Sequence, residues 1–274
     1  MGCSVMDDIV TTDWLAAELG KSDLRVIDAT MFLPKDGRDA RAEFEAEHIP
    51  GTVFLDLAEF ADFPSEAKFA SRMQTLGLGD GSRFVVYDNT PLHSAARAWW
   101  LLKSFGAHYV ALLDGGMPKW KAEGRAIEGG RPEVRHRHFT AQADPSGLAR
   151  IADVKGATGL EIVDARSAGR FSGEESEPRP GLASGHIPGS KNLPQGQLFN
   201  GDGTWMQGDA LRNAFEGAGV DLGKPMITTC GSGVTAAVLS FGAHLLGKRD
   251  VRLYDGSWAE WGADASTPKA VGVA

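Results

Sequence analysis

Cysteine is scarce in this 274-residue chain: Cys3 lies near one end and Cys230 far from it, with no others. Two thiols so placed make no disulfide framework and no metal-ligand spacing, so no metal is expected, and a reducing compartment suits a free thiol. Long apolar runs are missing too. Nothing approaches the ~18 residues of a membrane span, and residues 1–10 lack the cationic flank and apolar stretch of a secretory leader, so a cytoplasmic protein without a membrane partner is expected. Positive charge is in deficit, with 28 Lys and Arg against 36 Asp and Glu, and the net charge of -8 argues weakly against nucleic acid as a partner. What remains is an ordinary globular composition, 42% apolar and 23% charged, long enough for two domains with a core in each.

Strand and helix patterns alternate along the first half. A helical stretch at 13–19 leads to a strand at 24–29, then a polar segment rich in Arg and Glu at 38–47. His48-Ile49-Pro50-Gly51 turns into a short strand. A helix at 65–76, a strand at 84–88, a helix from about 94, a strand at 110–113 and a short helix at 117–123 complete it. This alternation predicts an α/β fold, a parallel sheet flanked by helices.

The second half repeats the plan. Ile162-Val163-Asp164-Ala165 answers Val26-Ile27-Asp28-Ala29, and Gly185-His186-Ile187-Pro188-Gly189 answers Glu47-His48-Ile49-Pro50-Gly51. Tyr254-Asp255-Gly256-Ser257-Trp258 with Trp261 answers Leu113-Asp114-Gly115-Gly116-Met117 with Trp120 at an offset of 141, which sets Cys230 against Asn89. Two tandem domains of one fold are therefore expected, 1–124 without a nucleophile and 148–274 with one. Residues 125–147, with Gly129-Gly130-Arg131-Pro132 and Arg135-His136-Arg137-His138, read as an exposed linker. Because each half has its own histidine turn and its own strand-end aspartate, His48, His186, Asp28 and Asp164 read as structural. Trp99, Trp100, Trp258 and Trp261 read as core.

Chemistry concentrates at Cys230-Gly231-Ser232-Gly233-Val234-Thr235-Ala236, between the apolar run 225–228 and a helical pattern at 237–246. A thiol at a strand end, before a glycine-bearing loop and a helix start, can be ringed by backbone N–H groups that stabilise a thiolate or persulfide. Cysteine-dependent phosphatases use a similar loop but need Arg six positions after the Cys, where this chain has Ala236. Without that guanidinium a bidentate phosphate grip is lacking.

The loop resembles the active-site loop of the rhodanese superfamily, in the form seen in 3-mercaptopyruvate sulfurtransferases. Thiosulfate-preferring members usually carry Arg-Lys where this chain has Gly231-Ser232. The resemblance implies tandem rhodanese-like domains and sulfur transfer through a Cys230 persulfide, with no cofactor. The donor would be 3-mercaptopyruvate or, as the alternative, thiosulfate; the acceptor would be cyanide, a small thiol or thioredoxin. A non-catalytic rhodanese-like binding module is the competing class. The same resemblance implies that Arg170 and Arg179, in Gly169-Arg170-Phe171 to Glu177-Pro178-Arg179, hold the carboxylate and ketone of the donor. It also implies that Gly231, Ser232, Gly233, Val234 and Thr235 line the sulfur site, with Ser232 catalytic. The alternative for the two arginines is pairing with Glu174, Glu175 and Glu177 on a solvated loop. Family members often carry an Asp and a His on a longer first-domain loop as partners of the active-loop serine. Here residues 56–65 are short and hold no histidine, which leaves Asp62 or His93 as stand-ins.

Overall fold

A computed structural model describes residues 6–273; Cys3 lies outside the described residues. The chain forms two units, residues up to 144 together with 200–205, and residues 145–199 together with 206–274.

The first unit runs β1 (Ile9–Val10), α1 (Thr12–Glu18), β2 (Leu24–Asp28), α2 (Ala40–Ala46), β3 (Thr52–Phe54), α3 (Glu66–Thr75), β4 (Arg83–Tyr87), α4 (Ala95–Ser104), β5 (Tyr109–Leu113) and α5 (Gly116–Ala122). Its strands pair in parallel in the order β1-β5-β4-β2-β3. The near-continuous apolar runs of β4 and β5 follow from burial on both sheet faces. The helix α2 falls where the sequence shows only a polar run. Asp39 caps it by accepting from the Arg41 and Ala42 N–H groups, and Phe44 is its one buried side chain, too little to make an apolar stripe.

The second unit repeats the order with β6 (Leu148–Ala149), α6 (Ile151–Lys155), β7 (Glu161–Asp164), α7 (Ala168–Ser172), β8 (Lys191–Asn192), α8 (Gly208–Gly217), β9 (Met226–Thr229), α9 (Ala236–Leu245), β10 (Val251–Tyr254) and α10 (Ser257–Trp261). Its sheet is parallel, in the order β6-β10-β9-β7-β8. In α9, the residues from Ala236 to Ala243 are all buried, so this helix lacks a polar face.

Between the units' main segments, residues 125–144 run along the first unit rather than standing off it. Glu128 bridges to His48, Phe139 is buried, Thr140 bonds Asp80, and the Asp144 N–H reaches the Ser104 carbonyl at 2.8 Å. Burying Phe139 and satisfying backbone groups holds a stretch whose composition alone suggests a tether. His48 and His186 are buried, stack on Phe44 and Phe171 at 4.2 and 3.8 Å, and bond the carbonyls of those same residues. Both histidines are packing elements. Trp99, Trp100, Trp258 and Trp261 are all core.

Candidate active site

Strand β9, buried along its length, delivers Cys230 to the carboxyl edge of its sheet, the edge at which parallel α/β sheets bind ligands. The thiol residue is 2% exposed and unbridged. Gly233 takes φ +79, which turns the chain sharply into α9. The N–H groups of Cys230 and Gly233 both donate to Ser257 Oγ at 3.1 Å. Those of Gly231, Ser232, Val234 and Thr235 meet no acceptor among the described residues. Four unspent donors thus follow Cys230 directly, at the start of a ten-residue helix, where backbone N–H groups attract anions. Thr229 Oγ1, buried just before Cys230, is also without a partner.

Ser257 holds the loop from below. It sits at φ +48, fully buried, and its hydroxyl donates to the Tyr254 carbonyl at 2.8 Å while accepting the two loop amides. Its Oγ is 3.9 Å from Cys230 Sγ. Two further bonds, from Trp258 N–H to the Cys230 carbonyl and from Ala259 N–H to the Gly231 carbonyl, both 2.9 Å, fasten the loop to α10.

Arg170, on α7, lies against this loop. A Cβ added at Gly231 would stand 2.9 Å from Arg170 Nη2, so a side chain there would displace the guanidinium. Arg170 donates from Nη2 and Nε to Glu177 at 2.6 and 3.3 Å, which leaves Nη1 unspent. The Glu177 side chain is almost fully buried, and Arg166 also donates to its Oε1 at 2.7 Å. Arg166 is itself clamped by Asp164, bonds the Gly185 carbonyl at 2.8 Å and lies over Trp258 at 4.5 Å. The pairing alternative is thus half right, since Arg170 does pair with Glu177, but inside the fold. Arg179 stands exposed and makes no ion pair among the described residues. The structure therefore gathers Cys230, residues 231–235 and Arg170, and shows no contact from Arg179 to them among the described residues. Asp62 is exposed, and His93 lies in the first unit, where burial pushes its pKa down to about 4.

Sequence reasoning missed Ser257 and Arg166, and placed Glu177 on a solvated loop rather than inside the fold. A signal for Ser257 existed: its counterpart is Gly116, at φ +56, where a Cβ would meet the Asp88 carbonyl at 2.6 Å. A serine where the repeat has a positive-φ glycine marks a strained position. Arg166 and Glu177 carried no comparable mark, because charged residues in a polar stretch look solvated.

Strand pairing shifts the correspondence between the two units by one residue at this loop. Asp28 pairs with Tyr87 and Asp164 with Thr229, so Asp88, not Asn89, occupies the place of Cys230, and the first unit's loop is one residue longer. Asp88 turns back on its own loop, accepting from Ala95 N–H at 2.7 Å and Thr90 N–H at 3.5 Å, and burial raises its pKa to about 7.

A family profile described as "Rhodanese-like domain" matches residues 11–123 and 148–264. The chain belongs to the rhodanese-like family. It is 40% identical to the 3-mercaptopyruvate sulfurtransferase of Homo sapiens over 270 residues, covering 92% of this chain and 91% of that protein. Against the enzyme of the same name from Escherichia coli strain K12 it is 40% identical over 271 residues, covering 94% and 96%. The crystal structure of SseA from Escherichia coli, described as a 3-mercaptopyruvate sulfotransferase with the rhodanese fold, superposes with a TM-score of 0.84 at 36% identity, covering 92% of this chain and 99% of that one. The two matched segments cover one parallel sheet each, apart from the edge strand β1 of the first.

Proposed function

We propose that this rhodanese-like chain is a 3-mercaptopyruvate sulfurtransferase. The observation that carries the reading is the set of unspent amides of Gly231, Ser232, Val234 and Thr235 beside Cys230, with the Arg170 guanidinium held over Gly231. The likeness to curated relatives of that name supports the donor.

The Cys230 thiolate attacks the sulfur of 3-mercaptopyruvate. As the S–S bond forms, the C–S bond breaks and its electron pair leaves with the three-carbon fragment as pyruvate enolate, which takes up a proton. The persulfide anion left on Cys230 sits among the loop amides. Arg170, through its free Nη1, and Arg179, once its loop brings it in, hold the keto acid's oxygens and draw charge from the enolate. Ser232 donates a hydrogen bond to the substrate. An acceptor nucleophile, cyanide, a small thiol or thioredoxin, then takes the outer sulfur and restores the thiolate. A reducing cytoplasm keeps that thiol free, and no helix among the described residues is long and apolar enough to cross a membrane.

Thiosulfate is the second donor. Its two negative charges find less attraction here, because Gly231-Ser232 is uncharged and Glu177 already neutralises part of Arg170. The deciding experiment assays pyruvate release and thiocyanate formation with each donor, alongside intact mass. Turnover favouring 3-mercaptopyruvate, with one sulfur added to the protein by donor and removed by cyanide, is expected. Equal or better turnover with thiosulfate reverses the donor assignment, and no sulfur gain from either donor leaves a binding module.

A further inference from the structure

The first unit carries a second site at the opposite edge of its sheet from the strand carboxyl ends. A cavity of about 360 Å³ opens where β2 begins, floored by apolar side chains such as Leu24 and Val53. Its charged lining is Lys21, Arg25, Glu133, Arg135 and Arg137. In a chain of net charge -8, this is a local reversal of sign.

The arginines are placed by the backbone. Residues 134–138 press against two glycines: a Cβ at Gly77 would lie 2.7 Å from the Arg135 carbonyl oxygen, and one at Gly79 would lie 2.7 Å from Arg137 Cβ. The His138 carbonyl accepts from Asp80 N–H at 2.9 Å, fixing the same stretch. Arg25 reaches into this corner from β2 and donates to the Gly77 and Leu24 carbonyls at 3.3 and 2.5 Å. None of Arg25, Arg135 and Arg137 makes an ion pair among the described residues. Of the nearby charges, Lys21 is held by Glu18, and Asp23 is held by Arg83 at 2.8 Å; Glu133 makes no ion pair. Burial, then the proximity of Arg137, push the Arg25 pKa below its usual range. A bound anion would relieve that repulsion, and guanidinium groups favour phosphate oxygens bidentately.

We propose that this cavity binds a small organic polyphosphate, of the nucleoside di- or triphosphate class, with the phosphates on Arg25, Arg135 and Arg137 and the apolar body on the floor. The site is independent of the Cys230 loop.

Calorimetric titration of the full chain with ATP, inorganic pyrophosphate, adenosine and a polyglutamate peptide tests it. ATP is expected to bind tightest, pyrophosphate more weakly and adenosine not at all, with affinity falling as salt rises. The exposed-residue variants Arg135→Gln and Arg137→Gln are each expected to lose about tenfold in ATP affinity, one charge-assisted contact apiece, while sulfur transfer is unchanged. Arg72→Gln, at an arginine that pairs with Glu59 elsewhere in the unit, is expected to bind as wild type. Absence of ATP binding, binding undiminished in both variants, adenosine binding as tightly as ATP, or polyglutamate bound in preference to ATP would each overturn the proposal.

Discussion

The loop after β4 and the loop after β9 start from the same place in the same sheet, and they dispose of their backbone donors in opposite ways. After β4, Asp88 supplies an acceptor from within the chain, and its carboxyl group takes the Thr90 and Ala95 amides. Asn89 donates to Thr30 Oγ1, and Leu92 to Thr90 Oγ1, so little donor capacity is left over. After β9 the residue in that place is Cys230, whose side chain takes none of those amides, and four N–H groups remain for an external anion. The duplicated fold thus holds one self-filled loop and one open loop, separated by the strand-end side chain, by the Thr30 and Thr90 hydroxyls and by one residue of loop length.

The largest effect on that contrast should come from Cys230 itself. Cys230→Ser removes the sulfur nucleophile, and Cys230→Asp copies the first unit's solution by setting a carboxyl group beside the loop amides. Both are expected to lower thiocyanate formation by about 10⁴-fold or more, and intact mass should show no added sulfur after donor treatment. Next comes the buried clamp that has no counterpart at Asp88. Glu177→Ala strands Arg166 with one partner fewer and should cost roughly 3 kcal/mol in urea unfolding; retention of wild-type stability would show the clamp to be dispensable. Arg170→Gln removes the guanidinium over Gly231 and should reduce kcat/KM for 3-mercaptopyruvate by about 100-fold, and Arg170→Lys should restore only part of it.

Asp88 sharpens the comparison from the other side. Its folded-state pKa of about 7 lies above the unfolded value of 3.8, so between these values the native state holds more protons and stability falls as pH rises. Asp88→Asn removes this loss. The stability of the variant relative to wild type should therefore grow between pH 4 and pH 8, by about 4 kcal/mol at most, as measured by urea unfolding at several pH values; a constant difference would show that the carboxyl does not titrate there. The smallest effect belongs to Ser232→Ala, expected to slow turnover about tenfold. A loss matching that of Cys230→Ser would make Ser232 an activated group and not a hydrogen-bond donor.

Much of this was legible in advance, for particular reasons. The parallel sheets could be read because strands such as β4 and β9 are buried on both faces and so appear as short apolar runs between helical patterns. The duplication could be read because turns such as His48-Ile49-Pro50-Gly51 recur with their backbone requirements intact. Cys230 and its loop stood out because glycines beside a strand-end thiol have few other uses. In contrast, α2 was hidden by having only Phe44 to bury, and the true counterpart of Cys230 was hidden by one extra residue in the first unit's loop. Sequence spacing counts residues, whereas strand pairing fixes which of them stand at the same point of the sheet.

The order of residues therefore determined the family, the duplicated plan and which thiol is the candidate nucleophile, since these depend on local pattern and on chemistry that few side chains possess. Tertiary structure decided the rest. Whether a loop amide is spent or free, whether Arg170 is solvated or held over Gly231 by Glu177, and whether Arg25, Arg135 and Arg137 share one cavity depend on which distant segments the fold brings within a few ångströms. Such contacts are set by packing between residues far apart in the chain, so no stretch of sequence records them.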